Sequence, residues 1–165
     1  MTKQNPILGP ADLQAYMDEL GIPGEIIHLE QPTPTVEAAA SAVHTLVDQI
    51  VKSVLFTIYD QRVLTITCGV ERVERRVIAA LYGVGRKRVK LAPAETVLEE
   101  TGYPVGTVPP FGHPKPLRTL LDPGVLEHNQ VYAGGGAGNT LVRLDPQDIL
   151  RITQAEVMDL HTPPS

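Results

Sequence analysis

Apolar positions recur at helical spacing in PADLQAYMDELG, where Leu13, Tyr16, Met17 and Leu20 share one face and Gly21 supplies a stop. EIIHLE then reads as a short strand. TPTVEAAASAVHTLV restores the helical period through Val36, Ala39, Ala40, Val43 and Val47, with Thr33 and Pro34 as cap and first-turn pair. Two β-rich runs, IVKSVLFTIYD and RVLTITCG, joined by a polar turn around Asp60 and Gln61, predict a hairpin. Glu71 to Tyr82 predicts a helix with Val73, Val77, Ile78 and Leu81 on one side, ended by Gly83 and Gly85. RVKLA reads as a strand and PAETVLEETG as a short helix. LRTLLD, QVYAGGG and NTLVRLD read as further strands, PQDILRIT as a helical turn and EVMDL as a last strand. Hairpins stand beside crossovers in this order. The pattern therefore predicts a mixed α/β (α+β) fold, a small mixed β-sheet or β-barrel flanked by helices, rather than a doubly wound parallel sheet.

The chain has 165 residues and no repeat or low-complexity linker, which predicts one domain over 1–165. No apolar run approaches the ~20 residues that span a bilayer. The stretch MTKQNPILGPADLQ lacks the apolar core and small-residue site of a secretory signal, and Cys68 is the only cysteine. A soluble chain in a reducing cytoplasm is expected. The five histidines show no paired ligand spacing, so neither metal nor cofactor is expected. Cys68 closes an apolar strand before Gly69, where a small buried residue is the ordinary reading.

The net charge of −5 excludes binding to nucleic acid through overall electrostatics, yet it hides an asymmetry. Between Glu71 and Lys90, seven arginines and lysines face two glutamates, leaving that segment at +5 and the remainder at −10. Arg72, Arg76, Arg86, Lys87 and Arg88 are either a solvated face or a landing patch for a polyanion.

Three stretches carry candidate chemistry. Lys52 interrupts an apolar strand, pointing with Val54, Phe56 and Ile58, while Ser53 points with Leu55 and Thr57. Either its stem lies on apolar surface with the charge in water, or the ammonium is desolvated at the strand's mouth and needs an anion. TGYPVGTVPPFGH, residues 101–113, holds three glycines, three prolines and His113 in thirteen residues. It is either a connector guarding an edge or a stiff loop whose N–H groups face a carbonyl. YAGGGAGNT, residues 132–140, lacks the Lys-Ser/Thr of a phosphate loop, so it is a tight turn that either opens space for a ligand or serves structure alone.

In order and spacing, IVKSVLF, the arginine-bearing helix, TGYPVGTVPPFG and YAGGGAGNTLVRLDPQDILRIT together resemble the YbaK/prolyl-tRNA synthetase-associated domain family. The resemblance covers about Thr35 to Leu160. Its functional lysine, followed by Ser or Thr, lands on Lys52 and Ser53; its G-x-x-x-P loop lands on Gly106 to Pro110; its Gly-rich turn lands on Gly134, Gly135 and Gly136. The glycine that often follows the second helix's alanines is replaced by SAVHT, which should alter that turn. The resemblance implies a trans-editing aminoacyl-tRNA deacylase acting on a Cys-tRNA(Pro)- or Ala-tRNA(Pro)-like substrate. Its partners would be the acceptor end of aminoacyl-tRNA and an aminoacyl-tRNA synthetase. Lys52 and the Gly106 backbone would then be catalytic, and Ser53, Thr107, Pro110 and Gly134 to Gly136 would bind substrate; His113 follows the loop without being a fixed feature of the family and is a further candidate substrate contact. The basic segment would meet the acceptor stem. A non-catalytic aminoacyl-tRNA or nucleotide-binding module of the same fold is the alternative, and a lysine forming a Schiff base with a carbonyl compound is a third.

Overall fold

The computed structural model describes residues 6–165. Helix α1 (Pro10–Leu20) follows Gly9, whose N–H donates to the Asp12 carboxylate, and ends on Gly21 in the left-handed conformation at φ 64°. After β1 (Glu25–His28), α2 (Val36–Ala42) is shorter than its apolar period predicts. Its cap is Thr35 rather than Thr33, because the Thr35 hydroxyl accepts from Ala38 N–H at 3.0 Å. The helix stops where His44 turns left-handed, at φ 56°, and Thr45 N–H donates back to the Ala40 carbonyl. Val43 and Val47 therefore leave the helical face.

Strands β2 (Val51–Ile58) and β3 (Gln61–Cys68) form the predicted hairpin, with Tyr59 and Asp60 as its turn. Helix α3 (Arg75–Tyr82) starts later than Glu71, because Glu74 accepts from Arg76 N–H and its own N–H donates to the Leu160 carbonyl. There follow β4 (Val89–Leu91), α4 (Ala94–Thr101), β5 (Arg118–Leu121), β6 (Val131–Gly134), β7 (Thr140–Leu144), α5 (Pro146–Thr153) and β8 (Glu156–Val157).

The mixed α/β architecture holds, as two sheets. One runs β4-β2-β3-β5-β8, with β4, β2 and β3 antiparallel and β3, β5 and β8 parallel; the other runs β1-β7-β6 and is antiparallel throughout. They meet at one parallel bridge, Ile50 to Tyr132, and do not close into a barrel. The larger sheet is buried on both faces. Val51, Leu55, Leu64 and Ile66 join the main core with Leu13 and Met17, while Phe56, Ile58 and Val63 join a second core with Ile78, Val89 and Leu160. That two-sided burial explains why Val54, Leu55 and Phe56 follow one another in β2, since a sheet with one wet face would alternate. Among the described residues no helix is long and apolar enough to cross a membrane.

Residues 102–117 contain no strand, so the Pro/Gly-rich segment is a loop rather than an edge. It is pinned by buried Tyr103, Val108 and Phe111, the last with its ring stacked on Tyr16 at 5.8 Å.

Candidate active site

The site begins with an interrupted sheet edge. The Leu55 carbonyl accepts from Ala92 N–H at 2.9 Å, so the odd-numbered residues of β2 turn their backbone groups away from β3. Strand β4 pairs only with Phe56 to Ile58, and β6 touches only at Ile50. Between these contacts Ser53 faces a gap that no paired strand covers on the side away from β3. Its hydroxyl is buried and unpartnered. A buried polar group without a partner is costly, and a buried hydroxyl beside an uncovered strand edge suits the binding of a polar ligand.

The gap opens into a cavity of about 320 Å³. Leu55, Ala92, Val97 and Val108 make one wall, and Val36 and Leu141 belong to the other. Among the described residues Lys52 is its only charged lining residue. It is half-buried, and among the described residues no carboxylate lies within 4.0 Å of its ammonium. The cavity thus offers an apolar recess, a hydroxyl, an open strand edge and one cation.

Gly106 lies on the same cavity. Thr107 N–H donates to the Pro104 carbonyl at 3.1 Å, and Gly106 sits third in that turn at φ 83°. A type II turn requires such a left-handed residue there, which is the physical reason for glycine. The Thr107 hydroxyl reinforces the turn by donating to the same carbonyl at 2.8 Å. Gly106 N–H donates to no protein group among the described residues. Gly134 lines the cavity as well and lets β6 approach the loop: a Cβ there would stand 2.7 Å from the Val108 carbonyl oxygen and 2.9 Å from that of Thr107.

Lys52, Ser53, Gly106 and Gly134 therefore meet at one cavity, whereas Thr107, Pro110, His113, Gly135 and Gly136 stand behind it. Gly135 packs on Thr140, and Gly136, at φ 98°, packs on Gly9, Pro10 and Tyr103. Arg86, Lys87 and Arg88 form an exposed turn before β4; Arg72 is exposed, and Arg76 is paired with Glu74 at 2.8 Å. Sequence reasoning missed the α2 wall and the Leu91–Val97 wall, whose apolar residues look like ordinary core until the topology brings them together. Burial, assisted by nearby carboxylates, pushes the Cys68 thiol up to about 11, which keeps it un-ionised and a poor nucleophile at neutral pH.

The His113 ring donates from Nε2 to the Pro109 carbonyl at 2.8 Å, tying the loop to itself. Its burial lowers the pKa below the ordinary 6.5, although the bond to Pro109 opposes the shift. The folded state thus holds fewer protons than the unfolded chain just below pH 6.5, so stability falls as pH drops through that value. Denaturant titrations between pH 7 and pH 5 should show this loss, and a smaller one in His113→Gln. An equal loss in the variant would assign it to other groups.

The aminoacyl-tRNA editing domain model matches residues 30–152. The chain is 28% identical over 134 residues to the uncharacterized Bacillus subtilis (strain 168) protein YwhH, covering 81% of this chain and 83% of that protein. It is 32% identical over 104 residues to the multifunctional Ser/Thr-tRNA deacylase ProXp-y of Escherichia coli (strain K12), covering 62% of this chain and 60% of that one. A solved structure described as a candidate trans-editing enzyme for prolyl tRNA synthetase superposes with a TM-score of 0.85 at 32% identity, over 97% of this chain and 99% of that one. With a family match that spans both walls of the cavity and the loop between them, the chain belongs to the aminoacyl-tRNA editing domain family.

Proposed function

We propose that this protein is an aminoacyl-tRNA deacylase that hydrolyses the ester of a mischarged tRNA in trans. The observation that carries this reading is the convergence of an unpaired ammonium, an unpartnered hydroxyl, an open strand edge and a free turn N–H on one small cavity. An aminoacyl ester is already activated, so its hydrolysis needs positioning and oxyanion stabilisation more than a protein nucleophile. In our reading the Gly106 N–H donates to the ester carbonyl oxygen as it gains charge. Lys52 holds the terminal phosphate or the same ester. The Ser53 carbonyl receives the substrate's ammonium group, and the Ser53 hydroxyl orients the water. Water adds its oxygen to the ester carbon and the bond to the ribose oxygen breaks. That oxygen leaves with a proton from the water, and the amino acid departs as its carboxylate with release of the second proton.

A cavity of about 320 Å³ stands at the small end of ligand sites. If the ester and part of the terminal ribose share this space, the room left suits a small side chain, which favours a Cys-tRNA(Pro)- or Ala-tRNA(Pro)-like substrate. The unpartnered Ser53 hydroxyl also gives a serine side chain a hydrogen-bond partner, in line with the Ser/Thr-tRNA deacylase relative. The test is amino-acid release from a panel of tRNAs charged with alanine, cysteine, serine, threonine and proline. Release of the small residues with proline spared is expected. Binding across the panel without release from any member would replace this reading with that of a binding module.

A further inference from the structure

The hairpin tip is built against backbone preference. Tyr59 occupies the left-handed region at φ 55°, where a bulky residue is disfavoured, yet it is 64% exposed and takes no part in any core. The tip is held by Arg62, whose guanidinium donates to the carbonyls of Tyr59 and Gln61. Over the Tyr59 ring lies the Arg88 guanidinium, 5.4 Å from its centroid. Tyr59 lines a surface depression together with Arg86, Lys87 and Arg88. None of these three cations has a carboxylate within 4.0 Å among the described residues, and the nearby Glu74 is held by Arg76. Strain, an exposed aromatic face, a stacked guanidinium and unpaired charge thus coincide at one place.

Its position fits the active-site cavity. From Arg88 the chain runs straight along β4 to Leu91, which is exposed and lines the cavity. Those three residues span about 10 Å of strand. Successive stacked nucleotides of one strand are about 3.4 Å apart, so about three of them bridge the interval. Aromatic and guanidinium planes beside cations are what an unpaired base and its phosphate recognise.

We propose that Tyr59 and Arg88 form a stacking platform, flanked by Arg86 and Lys87, for an unpaired nucleotide upstream of the esterified 3′ terminus. This rests on the reading of the cavity as an aminoacyl-ester site, and it assigns a second, nucleic-acid subsite on the same substrate. Tyr59→Gly removes the ring while suiting the left-handed backbone, so its unfolding midpoint should equal or exceed the wild-type value. Arg88→Gln removes the stacked cation from the other side. Each should weaken binding of an uncharged tRNA about tenfold in fluorescence anisotropy, a typical loss for one base–aromatic stack. The loss should vanish for the same tRNA lacking its unpaired 3′ nucleotides. Likewise, the ratio of kcat/KM for charged tRNA to that for 3′-aminoacyl-adenosine should fall about tenfold in both variants. Equal affinity of wild type and variants for intact tRNA, or an equal loss with the truncated tRNA, would overturn the platform. Because binding is read with uncharged tRNA, the platform is tested even if the protein hydrolyses no ester, an outcome that would sink only the deacylase reading.

Discussion

Lys52→Ala is expected to lower kcat/KM for amino-acid release by about 100-fold or more, the usual cost of removing one preorganised charge-stabilising group. The fold should survive the change. Lys52 is half-buried at the end of β2 and pairs with no carboxylate among the described residues, so its loss strands no buried partner. The unfolding midpoint should therefore move little. Two further variants separate the roles that an ammonium could play here. Lys52→Met keeps the apolar stem without the charge and should match Lys52→Ala in activity. Lys52→Arg keeps the charge in a wide planar fork that the apolar walls do not fit, and should recover only part of the rate. If Lys52 binds the terminal phosphate alike in ground and transition states, KM rises while kcat holds; if it meets the ester as charge develops, kcat falls instead. Steady-state release from the best substrate of the panel decides between them. Wild-type rates in Lys52→Ala would remove the ammonium from the reaction altogether.

The elements most legible in the sequence are those fixed by local rules. Gly21 and Gly83 stop their helices in the left-handed conformation, and the two β-rich runs pair as a hairpin along their whole length. The failures are equally local in cause. The apolar period overextends helix α2 because Val43 and Val47 continue it, whereas a turn at His44 redirects them to pack beside Ile50 and Leu141. Hydrophobic spacing says that a residue is buried and not on which element. The barrel expectation fails for a topological reason. Strand β4 reaches only Phe56, and β6 reaches only Ile50, which leaves β2 uncovered between them. No sequence pattern announces a missing strand neighbour, yet that gap opens the strand edge at Ser53. Lys52 is visible as a charge out of place, Gly106 as a glycine in a stiff loop. What brings them together is pairing register over long separations, which a single chain read in order does not display.

The second large effect concerns a residue with no polar side chain. Gly134→Ala should lower kcat/KM at least tenfold and the unfolding midpoint by several degrees. The added methyl would stand 2.7 Å from the Val108 carbonyl oxygen and 2.9 Å from that of Thr107, inside contact distance and against backbone that cannot rotate away. Overpacking of this kind costs about 1–3 kcal/mol, which for a chain of this size corresponds to roughly 2–4 °C per kcal/mol. Relief must come from moving the 104–110 segment, and that segment carries Gly106. The Thr107 carbonyl also accepts from Gly136 N–H at 3.0 Å, so the same shift strains a hydrogen bond that ties loop to turn. Gly106→Ala is the informative contrast. Its methyl would meet nothing within 4 Å, and its cost of about 1–2 kcal/mol comes from the left-handed backbone alone. Both variants should lose stability, but through different physics. If β6 positions the loop, Gly134→Ala loses activity without altering any residue that donates to the ester, and a compensating small residue at Val108 cannot rescue it because the clash is with main chain. Wild-type activity in Gly134→Ala would mean that the loop moves freely relative to β6, and the Gly106 N–H could then not be a preorganised donor.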